Sequence, residues 1–224
     1  MAFAGFGKDA PRFFHELAAE MNREWFQAHK AEYQELWVAP MEALLADVRA
    51  GIKNAYKGVK LEEPKLFRIH RDVRFGKDKT PYKTHCAGVI KIGGGAMMES
   101  AAAVYIHLGL EEYVGAGHYV FGPEQLARWR KKVAADKTGK EIAALIARAE
   151  KQGMEHDAHE VLARPPRGVA PNHPRVELLR HKGCVLGFPA IPRGLIHKPA
   201  FAKWIIEQAL RAAPVVRWVE KHVA

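Results

Sequence analysis

Between Lys65 and Phe121 the chain changes its period, and this change narrows the possible folds more than any other feature. On either side, apolar residues recur at helical spacing; inside, they come in short β-type runs broken by glycine. The N-terminal part predicts three helices. Asp9 is placed to cap the first, with Pro11 in its first turn and Phe13, Phe14, Leu17 and Met21 at helical spacing. Asn22 is placed to cap a second, NREWFQAHKAEYQELWVAP, which carries Trp25, Phe26, His29, Tyr33, Leu36 and Trp37 along one side until Pro40 kinks or splits it. A third, MEALLADVRAGI, ends at Gly51. In the middle, LFRIHRDVRF alternates, GVIKIGGG runs into a glycine turn, and AAVYIHLGL with YVGAGHYVF predicts a hairpin. GGGAMMESA reads as a loop.

Helical spacing returns in GPEQLARWRKKVAAD, with Pro123 in the first turn, and in TGKEIAALIARAEKQGM, with Thr138 as cap and Glu141 in capping-box register. PRVELLRHKGCVLGF predicts a short helix and then a strand. The last segment is amphipathic, with Phe201, Trp204, Ile205, Leu210, Val215 and Trp218 inward and Pro214 as a kink. The expected fold is α+β: a central, mainly antiparallel sheet with helices from both chain ends packed against it. A single domain, 1–224, accounts for the pattern. Its parts are a helical stretch (1–55), a sheet with the basic motif (65–121), helices (122–152), a basic Pro/Gly-rich segment (163–198) and a closing helix (199–222).

Charge then picks out two places. The 224 residues carry a formal net charge of +10. Segment 68–85 holds six Lys/Arg against two acids, and segment 164–198 holds seven against one. The rest of the chain balances at 22 of each, so these two segments account for the whole excess. A local cationic field implies an anionic partner. Cys86 and Cys184 are too few for a disulfide framework and are expected to be reduced and unpaired. No apolar run reaches the ~20 residues of a membrane span. The N-terminus lacks the order of a signal peptide, so the expected location is cytoplasmic.

If 67–75 is a strand, alternation puts Phe67, Ile69, Val73 and Phe75 on a core face and Arg68, His70, Asp72 and Arg74 on the other. Arg71 then falls on the apolar face. Either a bulge turns it out or a carboxylate pairs it, with Asp72, Glu99 and the acids of the first helices as candidates. The turn GKDKTPYKTH brings Lys79 and Lys83 back towards the arginines, where they predict one anion site with Asp72 inside it. Asp72 and His85 are the candidate catalytic acid–base pair.

The run FRIHRDVRFGKDKTPYKTH resembles the signature of a widespread bacterial and fungal family, the domain of unknown function two-four-six-one. NREWF at 22–26, GPEQLARWR at 122–130 and ARPPRGVAPNHPRVELLRHKG at 163–183 also match its layout, so the likeness covers nearly the whole chain. Two departures are Gly76, where the family often has serine, and Met21, where it often has asparagine. The resemblance implies a shared architecture and a polar site made of Arg68, Arg71, Asp72, Arg74, Lys79, Tyr82, Lys83 and His85, with Arg130, Arg167, His173 and Lys182 from the later motifs. It implies no reaction.

Other chemistry finds little support. His156 and His159 in EHDAHE have helix-end spacing but no third ligand, so no metal is expected. KIGGGAMM and VGAGHYVFG lack the patterns of nucleotide loops, no cofactor is implied, and no G-x-S-x-G elbow is present. His107 and His118 are candidates to share the sheet's polar side with His70 and His85. Cys86 beside His85 is no dyad, because neighbours in a strand face opposite ways. Three readings stay open. The first is binding or processing of a small phosphate- or carboxylate-bearing ligand on the polar face of the sheet, closed by the 76–83 turn and the 164–182 segment. The second is a nucleic-acid-binding module, and the third a structural protein whose arginines tie sheet to helices.

Overall fold

The computed structural model describes residues 2–74, 77–93 and 101–224. Phe75, Gly76 and most of the expected GGGAMMESA loop lie outside the described residues.

Helix α1 (Ala10–Glu20) carries Phe13, Phe14 and Leu17 on its buried face. Asp9 makes no side-chain cap there, and Pro11 at the start needs none of its own. The helix ends on Met21, held at φ 40°, a left-handed conformation that suits Gly or Asn and strains a residue with a long side chain. Asn22 then caps α2 (Arg23–Ala28), its Oδ1 accepting from the Trp25 amide at 2.8 Å. Met21→Asn is therefore expected to gain about 0.5–1 kcal/mol. Urea unfolding checks this, and an unchanged or lower midpoint would show that no strain is stored there.

The second predicted helix is divided at His29 into α2 and α3 (Lys30–Tyr33), and α3 runs on through a π-helical turn, Gln34–Val38, into α4 (Ala39–Ile52). Pro40 sits in the first turn of α4, where a missing amide costs nothing, and the widened turn just before it takes up the mismatch. Helix α5 (Pro123–Ala134) opens with the Gly122 amide donating to Gln125 Oε1 at 3.0 Å. Helix α6 (Asp136–Glu150) starts earlier than expected. Thr138 lies inside it and donates to the Lys132 carbonyl instead of capping. The short α7 (Val176–Arg180) and the long α8 (Ala200–His222), with Pro214 inside it, complete the helices. Leu210 is a correction: it is 42% exposed, because small Ala209, Ala212 and Ala213 occupy the inward positions around it.

The strands are β1 (Lys65–Leu66), β2 (His85–Ile92), β3 (Ala102–Gly109), β4 (Tyr113–His118), β5 (Glu155–Asp157) and β6 (Cys184–Gly187). They form one sheet in the order β1-β2-β3-β4-β6-β5, every neighbouring pair antiparallel. The sheet thus extends beyond 65–121, recruiting β5 and β6 from the second half of the chain. His156 lies on β5, a strand and not a helix end.

Alternation gives the sheet two unlike faces. Cys86, Ile90, Val104, Ile106, Leu108, Val114 and Leu186 point into one continuous hydrophobic cluster with the helices. Helix α4 packs across β2 and α8 across β4. Gly88 is needed for this approach, since a Cβ there would overlap the Leu45 side chain of α4. Both cysteines are free and buried, and burial pushes each thiol up to about 12, so neither is poised as a nucleophile. No helix among the described residues is long and apolar enough to cross a membrane.

Candidate functional site

The basic motif does not form the expected strand. After β1 the backbone is held only at intervals: Phe67 N to Ala87 O, Lys83 N to Ile69 O and Arg71 N to Pro81 O, each at 2.9 Å, with His70 bridged to Tyr82. From Phe67 to His70 the chain takes three steps while its partner takes five from Tyr82 to Ala87, so the 82–87 side bulges. Strict alternation does not hold along 67–74. Ile69 is buried as expected, but Phe67 and Val73 are only half-buried. His70 packs against Phe26 and Tyr82, with ring centroids 5.8 and 5.2 Å away. Tyr82 itself is 2% exposed and 4.5 Å from Phe26, part of the core and not an open ligand contact.

Arg71 is exposed and pairs with Asp78 across the turn at 2.8 Å, a partner absent from the expected set. Arg74 and Asp72 pair with each other through Nε and Nη2 at 2.9 and 2.7 Å, both exposed. Those bonds hold the Asp72 carboxyl below its ordinary range. Lys79 donates to the Val73 carbonyl at 2.7 Å and so ties the loop together. Among the described residues the side chains of Arg68 and Lys83 make no ion pair or hydrogen bond. Lys83 stands 5.6 Å above the Phe67 ring, half-buried. Its ammonium is held below the ordinary amine range by burial first, then by Arg68 and Arg71.

His85 adjoins this corner and stacks on His107 with centroids 3.6 Å apart. Burial, then His107, Lys83 and Arg71, push it down to about 4, and burial lowers His107 as well. Both imidazoles are therefore neutral near pH 7. No hydrogen bond joins His85 to Asp72 among the described residues. His118 also differs from expectation: it points inward, fully buried, with Nε2 3.1 Å from Glu220.

The second basic segment does not close over the first. Lys182 precedes β6, whose Cys184 faces His118 at the end of β4, whereas His85 faces Gly109 at the opposite end of the sheet. There Lys182 pairs with Glu160 at 2.6 Å and His173 accepts from the Arg175 amide at 3.1 Å. Arg167 is exposed, and Arg130 lies half-buried on α5. Nearby arginines are structural. Arg175 is nearly buried and donates to the carbonyls of Val133 and Ala134 at the end of α5, and Arg180 donates to that of Leu162.

A set of rings on the outer sheet face was not anticipated as a site. Phe67 stands 6.1 Å from Tyr105, and Tyr105 stands 6.2 Å from Tyr113. The Tyr105 hydroxyl reaches His107 Nδ1 at 3.2 Å. The spacing Y-x-H in β3 already placed Tyr105 and His107 on one side; the register His107↔Tyr113 and Tyr105↔Gly115 added the third strand. Elsewhere, a cavity of about 690 Å³ beside α6 and α8 is lined by Lys60, Gly93, Glu141, Arg217, Trp218 and Glu220. No group of three or more metal-ligating side chains occurs among the described residues.

A family model described as a conserved hypothetical protein (DUF2461) matches residues 9–218. No curated protein and no solved structure matches the chain.

Proposed function

For a chain that belongs to the DUF2461 family of conserved hypothetical proteins, a description that specifies no chemistry, we propose a role read from its own surface. The protein binds a phosphate- or carboxylate-bearing ligand at the corner made by Arg68, Arg71 and Lys83. One observation carries this reading. Lys83 is partly desolvated beside two arginines, and neither it nor Arg68 has a carboxylate partner among the described residues. Asp78 offsets Arg71 and Arg68 acts on Asp72, but the Lys83 ammonium feels both arginines with no carboxylate of its own, and an anion bound there relieves that cost. The structural arginines of this chain behave differently, since Arg49, Arg175, Arg180 and Arg217 donate to backbone carbonyls. Arg74 and Lys79, occupied by Asp72 and the Val73 carbonyl, shape the loop. The proposal stops at binding, because Asp72 is committed to Arg74 and His85 faces His107.

Calorimetry with inorganic phosphate on the wild type, Arg68→Ala and Lys83→Ala tests it. A charge-assisted contact contributes roughly 1.5–3 kcal/mol, so each variant should bind about tenfold more weakly or worse. Melting temperatures should hold or rise, since removing one cation relieves repulsion. No binding by the wild type, together with a sharp loss of melting temperature in Arg68→Ala, would make the corner structural.

A further inference from the structure

Resting on the anion-binding reading, we infer that the outer face of the sheet is a stacking platform for single-stranded nucleic acid, entered from the Arg68–Arg71–Lys83 corner. A solvated sheet face normally carries polar side chains opposite a packed one. Here it carries Phe67 beyond β1, Tyr105 on β3 and Tyr113 on β4, with the His85–His107 stack beside them. Tyr113 is 42% exposed. Its ring lies over the sheet because two glycines leave room. A Cβ at Gly115 would come within 2.6 Å of the Tyr113 hydroxyl, and one at Gly187 within 3.4 Å of its ring edge. A ring held flat against the backbone with its other side in water offers a π-face to a base.

Spacing and charge select the occupant. Phe67 meets Tyr105 edge to face at 68° and Tyr113 is tilted by 43° to Tyr105, with centroids 6.1 and 6.2 Å apart, so the rings share no plane and suit bases splayed one to a ring in place of a continuous stack. The cations lie at the Phe67 end, where Lys83 stands over that ring. Carboxylates lie at the other end: Glu155 and Asp157 of β5 act on Tyr113 and, after burial, help push its phenol up to about 12. A phosphate backbone is therefore drawn to the β1–β2 corner and repelled from the β5 edge, so the track covers two or three bases and stops at Tyr113. A duplex hides its base faces and gains only the cations.

Fluorescence anisotropy with a labelled short oligothymidylate tests this, with unlabelled duplex and inorganic phosphate as competitors. The wild type should prefer single strand over duplex. Tyr113→Leu and Phe67→Leu, which keep apolar bulk without the tyrosine or phenylalanine ring, should each lose roughly tenfold in oligonucleotide affinity while phosphate binding and melting temperature stay put. Equal binding of duplex, or ring variants with unchanged affinity, overturns the platform. If phosphate binds and the oligonucleotide binds no better, the inference falls and the anion reading stands; if neither binds, both fall.

Discussion

Trp37→Ala is expected to lose about 3–5 kcal/mol of stability, the largest single loss foreseen in this chain. Trp37 is 1% exposed and sits in the π-helical turn between α3 and α4. Its ring lies 4.6 Å from Phe14 and 5.2 Å from Phe6, and its Nε1–H donates to the Ala10 carbonyl at 2.9 Å. Truncation leaves a large void among three N-terminal segments and removes the indole bond that ties the π-helical turn to the start of α1. For a chain of this length that corresponds to a melting-temperature drop on the order of 10 °C. Trp37→Phe keeps most of the volume and should lose less. Urea denaturation of both variants checks the order, and a wild-type midpoint for Trp37→Ala would refute it.

The second large effect is acid destabilisation well above the pH at which carboxylates protonate. His85 and His156 are pushed down to about 4, and His107 and His181 are also lowered, burial being the first cause in each. The groups acting on His85 are His107, Lys83 and Arg71; those on His156 are His181 and Asp157. An unfolded histidine takes its proton near pH 6.5, while the folded ones resist it until about 4. Between those values the unfolded state binds more protons, so stability is full above 6.5 and falls as pH drops towards 4. The depressed carboxyls of Asp72, Asp78, Asp136 and Glu160 weaken the fold only at lower pH. After discounting for partial exposure, the loss between pH 7 and 5 should be about 2 kcal/mol. His156→Asn should flatten the profile of unfolding midpoint against pH. A wild-type profile that is already flat from 7 to 5 would show that the histidines titrate normally.

Local chemistry wrote much of the fold into the chain. The Asn22 cap, Pro123 in its first turn, the β3–β4 hairpin and the short α7 before β6 each follow from residues a few positions apart. The clustering of cations at 68–85 and the family layout are likewise properties of the string. Decisions between distant residues are not. The bulge opposite 67–70 depends on how 82–87 meets β1, and the pairing of Arg71 with Asp78 on how the turn folds back. Leu210 fits an apolar stripe by period and is exposed because the small residues around it carry the contact. Lys182 shares the charge excess with Lys83 yet lies at the other end of the sheet from it, since β6 joins β4 and not β1. The ring row needed the pairing of β3 with β4, and the room beside Tyr113 needed Gly187 from the far half of the chain. Period and composition act over a few residues and decide which face a side chain prefers. Register and long-range packing decide what stands opposite it, and at this protein's surface that choice gave Arg71 the Asp78 carboxylate as its partner.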